Sequence, residues 1–261
     1  MTMPALFVSH GSPMIVLDRS PTRAFLEGYG ATLPRPKSIL VVTAHFETAQ
    51  PTLTAVAQPP MIYDFGGFPE ALYRMNYPAP GAPALAMRAA ELLQAAGFAP
   101  RIDDSRGFDH GTWTPLKLLY PDADIPVVQL SVSPQRDARW HFQLGEALSP
   151  LREEGVLIIG SGSLTHDLSA FFGRRPPGGP SPKAYAAAFA AWMAEKIESD
   201  RIDDVLDWEV GAPEALRNHP TPEHILPLFV ALGAGGPHRR RIHQAMDHDV
   251  LSMDAYAFAS G

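Results

Sequence analysis

The chain has 261 residues, 10 histidines, 27 prolines and no cysteine, and its net charge is −7. Without cysteine there is no disulfide framework, Cys-ligated zinc, iron–sulfur cluster, thiolate haem or cysteine nucleophile, so a metal would have to be held by histidine and carboxylate. The acidic balance argues against nucleic acid or an anionic membrane as partner. With no apolar run near the roughly 18 residues of a membrane span and no signal-like start, the expectation is a soluble cytoplasmic protein.

Taken in order, Ala5–Ser9 reads as a buried strand, and Ser20-Pro21 opens a helix running to about Glu27, with serine as N-cap and proline as first residue. Ser38–Thr43 is a second apolar strand, and Thr52–Val56 a further candidate. Ala84–Ala96 is built of strong helix formers and stops at Gly97. Thr112–Tyr120 and Asp137–Glu154 are predicted helices, the second interrupted near Pro150. Between and after them, Ile125–Ser131 and Val156–Gly160 are strands whose near-continuous aliphatic character fits burial on both faces. Gly173–Pro182 is rich in proline and glycine and reads as a surface loop, and Ala184–Ser199 is the clearest helix. A helix is predicted from Thr221 to Leu232, and late strands within Ile242–Ala259. The alternation predicts an α/β fold, a single domain over 1–261 with a central, mainly parallel sheet flanked by helices.

Three histidines fall at equivalent places in this pattern. His10 follows the first strand, His45 comes two residues after Ser38–Thr43, and His166 follows Val156–Gly160 and a turn of small residues. In open α/β sheets ligands bind beyond the carboxyl ends of the strands, so parallel strands would bring these side chains to one edge. Each alone reads as an ordinary surface or hydrogen-bonded residue; together they point to a metal, for which neutral imidazole is the commonest ligand. His110 lies between glycines in Gly107-Phe108-Asp109-His110-Gly111-Thr112-Trp113, either a ligand contact or a helix-start residue packed on Trp113. His224 follows Pro220-Thr221-Pro222-Glu223 in the first turn of its predicted helix, where Glu223 is either a metal carboxylate or a partner of the helix dipole.

The other histidines read as plainer. His141 suits helix packing and His219 a site accessory, while His238, His243 and His248 fall in a charged, solvated tail beside Arg239-Arg240-Arg241. Gly160-Ser161-Gly162-Ser163 has neither the full phosphate-loop pattern nor the G-x-S-x-G of a serine hydrolase. Its small residues instead suggest room for substrate at the sheet edge. Asp64-Phe65-Gly66-Gly67-Phe68-Pro69 reads as an exposed tip or as the wall for a flat ring.

Ser9-His10-Gly11-Ser12-Pro13, Thr43-Ala44-His45, Tyr63 to Pro69, Tyr77-Pro78-Ala79-Pro80-Gly81, Gly107 to Gly111, Tyr120 to Pro126 and Pro220 to His224 stand in the same order in one family. By these motifs the chain resembles the 4,5-DOPA extradiol dioxygenase-like proteins of the class III ring-cleaving dioxygenases, from about His10 to about Leu228, with the last thirty or so residues matching less clearly. The resemblance implies one α/β domain, a mononuclear non-haem metal, and a catechol-type substrate opened with O₂. It implies His10, His45 and His224 as metal ligands. His166 would be the acid/base and, in zinc-loaded members, a fourth ligand. His110 would be a second catalytic histidine, contacting substrate or oxygen. Fe(II) is the implied catalytic metal, and an all-histidine set, where the wider superfamily has a glutamate, also suits Zn(II). Phe65, Phe68, Tyr77 and Trp113 are the candidates for packing the ring. A zinc hydrolase, a tetrapyrrole metal chelatase sharing the opening strand-His-Gly-Ser pattern, and a non-catalytic metal-binding protein are the competing readings. The chelatase leaves the Asp64–Pro69 and Phe108–Trp113 motifs without a role.

Overall fold

The computed structural model describes residues 2–174 and 180–260. Four parallel strands form its centre: β1 (Ala5–Ser9), β2 (Ser38–Glu47), β5 (Val127–Val132) and β6 (Val156–Gly162). Around them lie β3 (Thr52–Thr54), β4 (Arg101–Asp103), β7 (His238–His243) and β10 (Ala255–Ala259), giving an eight-stranded sheet in the order β4-β3-β5-β2-β6-β1-β10-β7. The flanks are mixed: β3 runs antiparallel to β5, and β10 antiparallel to both β1 and β7. The short strands β8 (Met246–Asp247) and β9 (Leu251–Ser252) pair separately.

The aliphatic runs of the central strands explain their position. Alternate residues of one strand face opposite sides, and both sides are buried. Phe7, Leu40, Val42, Leu130 and Ile158 enter one core, while Leu6, Val8, Ile39, Val41 and Ile159 enter the other. The first core is covered by α3 (Pro83–Ala95), α5 (Ala138–Leu148), α7 (Pro182–Glu198) and α11 (Leu226–Ala234). The second is covered by α1 (Pro21–Tyr29), α2 (Glu70–Tyr73) and α4 (His110–Leu119). Four further short α-helices lie among the described residues: α6 (Leu168–Phe171), α8 (Ile202–Leu206), α9 (Trp208–Gly211) and α10 (Ala215–Asn218). These layers make one α/β domain, as the strand–helix alternation predicts. No helix among the described residues is long and apolar enough to cross a membrane.

Several boundaries differ from the sequence reading. β2 continues to Glu47, so His45 lies inside the strand rather than beyond it, at an irregularity where the pairing with β5 shifts between Thr43 and Glu47. The helix expected from Thr221 begins only at Leu226. Pro227 has no N–H to give and suits a first turn, not a helix interior, so His224 sits in the turn ahead of α11. The tail is less solvated than its charge suggests: His238 and His243 belong to β7, and His243 stacks on Phe25 at 4.6 Å. The expected loop Gly173–Pro182 is described only at its ends; residues 175–179 lie outside the described residues.

The small residues of Gly160–Ser163 have a packing reason. A Cβ on Gly160 would lie 2.2 Å from the carbonyl oxygen of Pro227, and one on Gly162 would lie 2.1 Å from that of His224. The glycines of β6 therefore admit the backbone that carries His224, rather than substrate as their size suggested.

His141 is a structural histidine, as its helix setting predicts. Fully buried, it accepts the N–H of Ser133 at Nε2, and its Nδ1 lies 2.8 Å from the carbonyl of Asp137. Burial lowers its pKa to about 4, against the pull of Asp137. The unfolded chain binds this proton near pH 6.5 and the folded one refuses it until about pH 4, so stability is complete above about 6.5 and falls as pH drops through that window, by about 3 kcal/mol from this residue. Denaturant midpoints of the wild type and His141→Gln should converge between about pH 7.5 and 4.5; parallel curves would remove His141 from the acid response.

Candidate metal centre and cavity

The strand register brings the histidines together. Ser161 of β6 pairs with Val8 of β1 on one side and Thr43 of β2 on the other. His10 and His45 each lie two residues beyond these partners, at the same level of the same edge. Their Nε2 atoms are 3.1 Å apart. The carbonyl of His224 accepts the N–H of Ser163, fixing the turn that carries His224 against the end of β6. The imidazole of His224 lies 5.6 Å from that of His10 and 5.0 Å from that of His45, centroid to centroid. His166, on the segment leaving β6, donates its N–H to the carbonyl of Asn218 and stacks on His224 at 3.5 Å and 14°. His110 is the first residue of α4, capped by Asp109, and its ring lies 3.9 Å from that of His45.

A buried strut holds β2 and α4 in this relation. Asp109 accepts the hydroxyl of Thr43 and the N–H of Thr112, and Arg106 donates both to Asp109 and to the carbonyl of His45. Burial raises the Asp109 pKa, and the Arg106 guanidinium opposes that rise. Gly111 is required by the same contact, since a Cβ there would lie 2.6 Å from Thr43 Oγ1 and 2.9 Å from the His45 ring.

The partners of the rings decide which nitrogens are free. The Ser161 hydroxyl donates its one proton to the carbonyl of Gly111, so at 3.0 Å it accepts from His10 Nδ1. His224 Nδ1 lies 2.9 Å from Glu223 Oε1, and a carboxylate can only accept. Both rings thereby carry their proton on Nδ1 and present a bare Nε2. Asp64 lies 2.9 Å from His110 Nδ1 and 3.4 Å from His45 Nδ1. Burial works against its charge, but the contacts with His110 outweigh it and hold its pKa at about 2.

Burial, followed by the neighbouring imidazoles, pushes His10 and His224 well below the usual histidine range. Burial and His110 lower His45 to about 3, and burial lowers His166 to about 4 against the pull of Glu223 and Asp167. At neutral pH these four rings are uncharged, the form that ligates metals. In two groupings, His10, His45 and His110, and His166, Glu223 and His224, the candidate ligand atoms all lie within 4.8 Å of one another. Two nitrogens 3.1 Å apart are close to the spacing of imidazoles about 2.1 Å from one cation at roughly right angles. The donor set therefore fits a non-haem metal, and the Nδ1 partners of His10 and His224 supply the orienting bonds that ligand histidines require.

The five histidines line one cavity of about 230 Å³. Phe65 and Phe68 line it as well, so the Asp64–Pro69 loop walls the cavity with its rings while Gly66, Gly67 and Pro69 stay exposed. Tyr77 and Trp113 do not reach it. Tyr77 is buried and donates to the carbonyl of Tyr120, while Trp113 is buried behind Phe65, 6.2 Å from its ring, and donates to the carbonyl of Ile62. His219 also stands back, packed between Phe189 and Trp208 with Nε2 on the carbonyl of Leu164. Leu168, Phe171, Phe172 and Leu251 line the cavity without having been expected there. The four residues of α6 are too few for helical periodicity to announce them. Asp64, quoted only as part of a motif, proves to bridge two histidines.

The family model described as "Catalytic LigB subunit of aromatic ring-opening dioxygenase" matches residues 4–259 and so includes the tail that resembled the family less clearly. The chain is 45% identical to a 4,5-DOPA dioxygenase extradiol of Beta vulgaris, over 97% of this chain and 96% of that protein. It is 44% identical to one of Escherichia coli strain K12, over 89% and 85%. A crystal structure of an uncharacterized protein from Escherichia coli K12 superposes with a TM-score of 0.79 at 36% identity, over 98% of this chain and 99% of that one. With a histidine-walled metal centre at the sheet edge and a match over nearly its whole length, the chain belongs to the LigB family of aromatic ring-opening dioxygenases.

Proposed function

We propose that the chain opens a catechol-type ring beside its two hydroxyl carbons, using Fe(II) held by Nε2 of His10, Nε2 of His224 and His45. The convergence of five histidines on one cavity walled by phenylalanine rings carries this reading. Fe(II) bound there would lower the pKa of a catechol hydroxyl and couple the ring electronically to O₂. Zn(II) suits the same imidazoles but has no redox chemistry, so the iron form is the active one.

The chain's own residues do the rest. Ser161 and Glu223 keep the protons of His10 and His224 on Nδ1, which holds the ligating lone pairs in place. His166 is uncharged at neutral pH and ready to take the second hydroxyl proton; the negative charge of the bound catechol raises its basicity once the proton is needed. Asp64 accepts the backbone N–H of His110 and lies 2.9 Å from its Nδ1, which leaves Nε2 to hold or return a proton. Phe65 and Phe68 pack the ring and exclude water.

Loading the protein with Fe(II) without oxygen, then adding catechols and O₂, tests the proposal. Stoichiometric oxygen uptake with a yellow ring-opened product is expected. Inertness toward a broad catechol panel together with tight zinc retention would overturn it in favour of a zinc hydrolase or a metal-binding protein.

A further inference from the structure

His166 sits on a turn that is fastened from the helical side by two consecutive residues. Its N–H donates to the carbonyl of Asn218, and two residues earlier the carbonyl of Leu164 lies 2.9 Å from Nε2 of His219. A carbonyl only accepts, so the His219 ring carries its proton on Nε2. Burial lowers its pKa to about 3 and keeps the ring neutral. The buried Nδ1 has no partner among the described residues, so the hydrogen bonding of this side chain is spent on Leu164.

The ring has little freedom to move. It lies 5.6 Å from the ring of Phe189 and 5.4 Å from that of Trp208, centroid to centroid, and all three residues are buried. The N–H groups of Asn218 and His219 donate to the carbonyls of Glu214 and Ala215, which ties the pair to the start of α10. His219 stands behind the cavity wall, and its route to the site runs through the Leu164 carbonyl to the segment that ends in His166. Displacing a catalytic group by about 1 Å costs on the order of 10²-fold in rate, so a hold two residues from an acid/base bears on turnover.

We propose that His219 is a positioning residue for His166: its Nε2–H, together with the carbonyl of Asn218, fixes the turn from Leu164 to His166 and so the place of the His166 ring against His224 and the cavity. Its part in turnover rests on reading His166 as the acid/base of ring opening. His219→Leu keeps the apolar packing and removes the donor, whereas His219→Gln offers an amide N–H where Nε2–H stood. On the Fe(II)-loaded protein, with L-DOPA or 4-propylcatechol, His219→Leu should slow single turnover by about 10- to 100-fold, with metal content and anaerobic catechol affinity unchanged. His219→Gln should recover most of that rate. In a His166→Ala background His219→Leu should cost nothing further, because it acts only through His166. Amide hydrogen exchange should show the His166 N–H less protected in His219→Leu than in the wild type, with the amides of β6 unchanged. An undiminished rate, loss of metal, an equal loss in the His166→Ala background, or unchanged protection of the His166 amide overturns the proposal. If His219→Leu does not fold, His219→Asn, whose shorter side chain withdraws the donor, carries the same comparisons. If the wild type opens no catechol, the dioxygenase proposal fails and the exchange of the His166 amide alone decides this one.

Discussion

Replacing His166 with alanine is expected to leave the metal bound and slow ring opening by a factor on the order of 10² or more, the scale of a lost general acid/base. His166 stacks on His224 without bonding it, and its backbone is held independently by the carbonyl of Asn218. The cavity should therefore survive truncation of the ring. The burial that lowers the His166 pKa to about 4 keeps it uncharged in the resting protein, so the loss should appear in kcat and persist across neutral pH. Metal content by elemental analysis and single-turnover rates on the same sample check it. A His166→Ala protein cleaving catechols at the parental rate would assign the proton transfers elsewhere, and one that has lost its metal would make His166 a ligand.

His45→Ala is expected to abolish metal binding. His45 is the partner of His10 across 3.1 Å, and its removal leaves the Nε2 of His10 without a second donor on that side. Asp109, Thr43 and Arg106, the last still donating to the backbone carbonyl of residue 45, would remain, so the fold around the gap keeps its strut. Glu223→Ala removes the acceptor shared by His224 Nδ1 and the Thr221 hydroxyl and should weaken metal binding by about 10- to 100-fold rather than abolish it. Competition titration with a chromophoric chelator distinguishes the two. Full metal occupancy in His45→Ala would take His45 out of the ligand set.

Much of this site is legible in the chain because strand ends are legible. Aliphatic runs identify the parallel strands, and a histidine just past each run is placed by topology alone, as with His10 and His166. His45 is harder, since nothing in Thr43-Ala44-His45-Phe46-Glu47 indicates that the strand continues past an irregular pairing. His224 was expected on a helix because its proline-rich start resembles a cap; the carbonyl contact with Gly162 instead makes it a turn, and a contact 62 residues away in sequence leaves no local mark. Tyr77 and Trp113 show the limit for aromatic residues. Composition identifies a ring near the site but not which side of Phe65 it occupies. Leu168 and Phe171 of α6 stayed hidden as cavity-lining residues because one helical turn has no periodicity to read.

The identity of the ring-opened product tests the central claim most directly. After reaction of the Fe(II)-loaded protein with 4-propylcatechol or L-DOPA and O₂, proton and carbon NMR should show one carboxylate and one aldehyde on the opened chain, as cleavage beside the two hydroxyl carbons requires. A dicarboxylate from cleavage between those carbons, or a quinone with the ring intact, would contradict the account.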